Sequence, residues 1–249
     1  MCFQTLYTLR MKKLFHKVSL LLAVMVGLFL ITPRNIAQAK PEDSFVQILF
    51  EFSSGIFVGA GSGSGSVIKT VKGGGYVLTA AHVCLPGVFG VSEPTPYDIP
   101  LIEIHVLDGD NNFYSADIYG FEIRNDLCLL FVEDLDLPAL EIASRPPRRH
   151  EQAVNVAAPL GKFGEDLMPY FEGHYLGTMY DSWFAVMESR RMAVYSIPAA
   201  GGSSGSPVLN RFGRIIGMIH SVYPEMHHLS LSPTWKQIDS FLKRQLDDL

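Results

Sequence analysis

Cysteine is nearly missing from this chain, with three in 249 residues, and the pairings that would signal a metal site are missing altogether. There is no Cys-x-x-Cys and no helical His-x-x-x-His, which removes the common spacings of a zinc site. His227 and His228 are adjacent and point different ways, so they read as surface residues of a loop. Charge is also sparse, at 18% of residues with a formal net of −5, and no long basic run occurs. That argues against nucleic acid as the main partner. Arg145–His150 is a short basic stretch, best read as a solvated connection. Internal repeats, a long linker and any break in composition after residue 40 are all lacking.

No hydrophobic run reaches the roughly 20 residues of a spanning helix. The apolar run Val18–Ile31 has 14 residues. It follows Arg10, Lys12, Lys13 and Lys17 and precedes Pro33, Arg34 and the small-x-small triplet Ala37-Gln38-Ala39, and the first 39 residues contain no acid. This is the order of a secretory signal, with Met11 as a second candidate start. Cleavage after Ala39 is expected; retention as a membrane anchor is the alternative. The remaining chain would hold 15 basic and 25 acidic side chains, a net of −10. An exported, periplasmic or secreted, acidic protein follows. In such a compartment Cys84 and Cys128 could pair. Two separate buried thiols are the slightly favoured reading, because Cys128 lies inside an apolar run.

With 48% apolar residues the chain can build a packed core. From residue 45 onward the pattern is of short strands between turn residues. Val46, Ile48, Phe50 and Phe52 alternate, as in a half-buried strand. Further strands are expected over Ser66–Thr70, Tyr76–Thr79, Leu101–Leu107, Phe113–Tyr119, Leu127–Glu133, Ala153–Ala157, Met192–Ser196, Pro207–Asn210 and Arg214–His220. Many short strands at this spacing indicate a sandwich or barrels. One helix closes the chain: Ser232-Pro233 supplies a cap and first-turn proline, and Trp235, Ile238, Leu242 and Leu246 recur at helical spacing.

Three segments carry chemistry. In Gly201-Gly202-Ser203-Ser204-Gly205-Ser206-Pro207 the glycines let the backbone turn sharply, and Pro207 with the strand after it fixes the loop. A serine nucleophile needs a base to take its proton and N–H donors for the oxyanion. In Tyr76–Cys84 a strand ends at Thr79, two alanines allow close packing and His82 emerges. In Asn125–Val132, Asp126 stands at the mouth of an apolar run, where a buried carboxylate needs a partner. A flexible loop, a structural histidine and a loop-capping aspartate are the plain alternatives for each segment taken singly.

Together, and in the order His, Asp, Ser, these segments resemble the trypsin-like serine peptidases, over roughly residues 45–246. Gly61–Ile68, Val154–Gly161 and Ser204–Gly217 are similar to segments of bacterial and HtrA-type members, and Ser-Gly-Ser-Pro is similar to glutamyl endopeptidases. The resemblance implies an all-β fold of two antiparallel six-stranded barrels with a C-terminal helix. Barrel one would span about 45–143, barrel two about 150–230 and the helix about 233–247. It implies a serine endopeptidase with Ser204 as nucleophile, His82 as general base and Asp126 orienting it, following the general template for this triad. Gly202 and Ser204 N–H would form the oxyanion hole. Polypeptide substrates, no cofactor and no metal are expected.

The resemblance also locates a specificity pocket at Pro198, Ile219 and His220. Pro198 stands where trypsins carry an acid, so nothing supports a preference for Lys or Arg. His220 lies one residue late for the pocket histidine of glutamyl endopeptidases, which favours an exposed histidine at a strand end. Ser203 replaces the acid that pairs with a new N-terminus in trypsins, so that activation switch is not expected. Gly201–Gly205 also matches a nucleophile elbow, but a strand rather than a helix follows it. The remaining alternatives are a silent binding module on the same fold and an enzyme needing activation by cleavage or a partner.

Overall fold

The computed structural model describes residues 40–54, 57–86, 101–164, 166–181, 190–223 and 225–247. The expected export signal, residues 1–39, lies outside the described residues. Among the described residues no helix is long and apolar enough to cross a membrane.

The first half is a closed antiparallel barrel of six strands. They are β1 (Phe45–Ser54), β2 (Phe57–Val71), β3 (Gly74–Thr79), β4 (Leu101–Leu107), β5 (Phe113–Glu122) and β6 (Leu127–Glu133), in the order β1-β2-β3-β6-β5-β4. β4 pairs back onto β1, with Gln47 opposite Leu107, which closes the ring and removes its edges. Val46 and Ile48 point inward and are fully buried, and Phe50 packs against the same core. β3 and most of β6 are buried as well, because they run through the centre of the sheet with Leu78 opposite Leu129.

β2 begins well before the expected Ser66. The Gly61–Ser66 stretch is itself strand, paired along β1 with Phe50 opposite Gly61. A Cβ at Gly61 would lie 2.4 Å from the Phe50 ring, so the aromatic face rests on bare backbone there. Glycine normally weakens a strand. Here the cross-strand ring restores the packing that the missing side chain would have provided.

The second half is one antiparallel sheet of seven strands rather than the expected six. They are β7 (Gln152–Val156), β8 (Tyr170–Asp181), β9 (Arg190–Tyr195), β10 (Pro207–Leu209), β11 (Ile215–Met218), β12 (Ser221–Tyr223) and β13 (Met226–Pro233), in the order β11-β10-β7-β8-β9-β13-β12. The additional strand arises because the chain after β11 turns back as a short hairpin, with Ser221 opposite Leu231. β8, β12 and β13 were not expected. β13 has an exposed first half that includes His227 and His228, and its buried second half is built on Ser230 and Ser232, so no hydrophobic alternation marks it. The two histidines are exposed as expected, but on a strand and not in a loop.

A single-turn helix, α1 (Ala81–Cys84), follows β3, and α2 (Trp235–Leu246) ends the fold. The cap of α2 is Thr234, one residue past the expected Ser232-Pro233, in a reciprocal arrangement with Gln237. Its Ile238, Phe241 and Leu242 are buried in the core of the first barrel, although the helix follows the second sheet in sequence. Trp235 instead packs on the second core and donates to the Ala143 carbonyl at 2.8 Å.

Candidate active site

α1 lifts His82 off the end of β3. Ala80 and Ala81 are buried, so the turn sits close against the barrel and leaves the imidazole half-exposed. Asp126 caps a 3₁₀ turn (Ile123–Asn125) in the left-handed region, at φ 55° and ψ 48°. Aspartate tolerates that conformation better than most residues. Its carboxylate is fully buried, with Oδ1 accepting the His82 backbone N–H at 2.8 Å and Oδ2 lying 2.8 Å from His82 Nδ1. Burial alone would raise the Asp126 carboxyl. The His82 and His220 charges and hydrogen bonds outweigh it and hold the group below the usual carboxylate range. An ionised Asp126 makes His82 Nδ1 the protonated nitrogen, which leaves Nε2 as the basic one.

Cys84 and Cys128 form a disulfide, Cα to Cα 6.5 Å, which corrects the expectation of two separate thiols. An apolar run is compatible with pairing because β3 and β6 are neighbours, with Thr79 opposite Cys128. The bridge joins the helical turn bearing His82 to the strand that follows Asp126, two residues from each.

The loop bearing Ser204 is held by three hydrogen bonds, two from Ser64 and one from Leu160. The Ser204 carbonyl accepts the Ser64 N–H at 2.7 Å, the Gly202 carbonyl accepts the Ser64 hydroxyl at 2.8 Å, and the Gly201 carbonyl accepts the Leu160 N–H at 2.6 Å. Gly202 has φ +89°, and a Cβ there would lie 2.5 Å from the Ala158 carbonyl, so only glycine fits. With those carbonyls held, the Gly202 and Ser204 N–H groups have no acceptor among the described residues. The Ser204 hydroxyl donates to the His220 carbonyl at 3.3 Å. Ser203, beside it, is fully buried and its Oγ accepts the Ala200 N–H at 3.3 Å.

His220 is not the exposed strand-end histidine that was expected. It lies between β11 and β12, is 7% exposed, and its Nδ1 hydrogen-bonds Asp126 Oδ2. Its Nε2 meets the Arg190 guanidinium, and Arg190 also donates to the Arg124 carbonyl at 3.1 Å. Of the other two expected pocket positions, Pro198 is exposed and Ile219 packs in the second core while its carbonyl holds the Gly205 N–H at 2.7 Å. His82, Asp126 and His220 bring ligand-type atoms within 4.8 Å of one another. Both Nδ1 atoms already bond the same carboxylate oxygen, so the trio reads as a hydrogen-bonded carboxylate rather than a cation cage.

Ser64 and Arg190 were not singled out from the sequence. Ser64 hides in the alternation Gly61-Ser62-Gly63-Ser64-Gly65-Ser66, where only its burial and its partners on a distant loop mark it. Arg190 carries no local signal.

A six-stranded barrel, a second antiparallel sheet, and a histidine–aspartate pair beside a glycine-bound serine define a serine peptidase, a hydrolase of the two-barrel class. A sequence profile of the trypsin-like peptidase domain matches residues 63–218, and the chain belongs to the trypsin-like peptidase family. Among curated proteins no sequence match is found. Its fold is similar to the Rv3671c protease of M. tuberculosis in the active form, with TM-score 0.64 and 18% identity over 83% of this chain and 82% of that one. The inactive form of the same protease matches with TM-score 0.60 and 19% identity over 83% and 90%. An inactive serine-to-alanine mutant gives TM-score 0.60 and 18% identity over 82% and 87%.

Proposed function

We propose that this peptidase is an exported endopeptidase that cleaves polypeptides through Ser204, His82 and Asp126. The observation that carries the reading is the pair of hydrogen bonds from His82 to a buried, ionised Asp126, made by its backbone N–H and its imidazole. It holds the ring with Nδ1 protonated and Nε2 basic. On binding, the Ser204 hydroxyl exchanges its bond to the His220 carbonyl for His82, which takes the proton as oxygen attacks the scissile carbonyl. The unpaired Gly202 and Ser204 N–H groups receive the oxyanion. Collapse expels the amine, protonated by His82, and leaves an acyl group on Ser204. Water activated by the same imidazole then releases the acid. Asp126 remains ionised throughout and stabilises the imidazolium.

Export under the N-terminal signal is supported by the Cys84–Cys128 disulfide, since such bonds persist in oxidising compartments. The test is labelling with a fluorophosphonate. Wild type is expected to label, and Ser204→Ala and His82→Ala are not. A folded wild type that fails to label, or a Ser204→Ala variant that still does, overturns the assignment.

A further inference from the structure

Asp126 is bonded by two histidines, and the second is itself fixed from behind. A guanidinium has only N–H donors. The nitrogen of His220 that faces Arg190, Nε2, therefore carries the lone pair. The imidazole proton is on Nδ1, and His220 donates it to Asp126 Oδ2, the oxygen that also bonds His82 Nδ1. Arg190 is in turn held by the Arg124 carbonyl at 3.1 Å, two residues before Asp126. Among the described residues, the charged and titratable groups facing His220 are Asp126 from the 3₁₀ turn, His82 from α1 and Arg190 from β9.

We propose that His220 is a positioning residue of the catalytic carboxylate: locked by Arg190 as the neutral Nδ1–H tautomer, it donates to Asp126 and keeps that carboxylate aimed at His82. This rests on reading Asp126 as the carboxylate of the triad. Arg190 matters because protonating His220 would place a new N–H against the guanidinium and a second cation beside the first. A protonated His220 would also compete with His82 for Asp126 and so weaken the base. Burial pushes the His220 imidazole below its ordinary value, Asp126 pulls it up, and Arg190 and His82 push it down. Removing Arg190 therefore lets His220 take a proton at higher pH.

Imidazole-nitrogen NMR of the folded wild type reads the tautomer directly, whatever the enzyme's activity. A neutral His220 protonated at Nδ1 is expected, and an Nε2-protonated ring overturns the proposal. The second measurement is the pH profile of kcat/KM, or of fluorophosphonate labelling rate. In wild type one proton governs the acid limb. In Arg190→Gln the limb should steepen toward two protons and move to higher pH. In Arg190→Gln/His220→Asn it should return to one, because asparagine keeps a donor and cannot titrate. His220→Ala should lower kcat roughly 10- to 100-fold with little change in KM, the size of a lost hydrogen bond to a charged group. His220→Asn should recover most of that loss. An unchanged acid limb in Arg190→Gln, or an asparagine no better than alanine, refutes the assignment. Failure of wild type to label with the expected NMR tautomer present would instead count against the triad reading.

Discussion

Replacing Ser64 by alanine removes one oxygen that ties the first barrel to the loop bearing Ser204. That oxygen donates to the Gly202 carbonyl at 2.8 Å and accepts the Ala158 N–H at 3.0 Å. The backbone bond from Ser64 N–H to the Ser204 carbonyl, at 2.7 Å, survives the change. Ala158 is fully buried, so its N–H is left without water or a partner, which costs about 1–3 kcal/mol. Gly202 is only half-buried and its carbonyl can turn to solvent, so its share is smaller. The expected loss of unfolding free energy is therefore about 2–3 kcal/mol. The catalytic effect has a different origin. Once its carbonyl is released, the Gly202–Ser203 peptide can turn, and the Gly202 and Ser204 N–H groups on the two flanking peptides lose part of their alignment at the proposed oxyanion position. Full removal of one such donor costs about 10²–10³ in rate, so a partial loss of about 10- to 100-fold in kcat is expected, with KM nearly unchanged. Urea unfolding and steady-state kinetics on a peptide ester measure the two effects separately. A kcat within twofold of wild type, alongside the expected destabilisation, would refute the link from Ser64 to the oxyanion site. A stability loss below about 0.5 kcal/mol would refute the hydrogen-bond accounting itself.

Two further outcomes follow from the same region. Opening the Cys84–Cys128 bridge, which spans 44 residues, should lower stability by about 4 kcal/mol in the loop-entropy estimate. Thermal unfolding of a Cys84→Ala/Cys128→Ala variant checks this, and a loss under about 1 kcal/mol would mean that the barrel already imposes the constraint. Asp126 is held ionised below the ordinary aspartate range, so its contribution to stability is present in full above the unfolded value of about 3.9 and is lost as pH falls through the lower folded value. Below about pH 4, Asp126→Asn should lose stability less steeply than wild type, by up to about 1.4 kcal/mol per pH unit; identical slopes would contradict the ionised assignment.

Much of the first barrel was legible because its strands alternate or run apolar between clear turns: Leu101–Leu107 and Leu127–Glu133 have the expected limits. His82 and Asp126 stood out at the ends of such strands, and the fold joins them by two hydrogen bonds. What stayed hidden depends on neighbours across space. Phe50 explains why Gly61 can lie in a strand, and no local pattern connects the two. Spacing alone could not turn His220 inward, because only the meeting of β9, α1 and the Asp126 turn creates its environment. The cysteine pair was visible as a possibility, but β3 must lie beside β6 before it becomes a bond.

The placement of α2 has a bearing on how the molecule comes into being. Ile238, Phe241 and Leu242 complete a core whose other members lie before residue 140, apart from Met218. During synthesis the first barrel therefore waits, with part of its interior uncovered, until the whole second sheet and the helix beyond it have been made. His82 and Asp126 sit on that unfinished half, while Asn125, adjoining Asp126, accepts a hydrogen bond from Gln237 of the helix at 2.5 Å. A chain still being made cannot yet hold the turn around Asp126 in its finished form, so the order of synthesis itself delays the assembly of a peptidase.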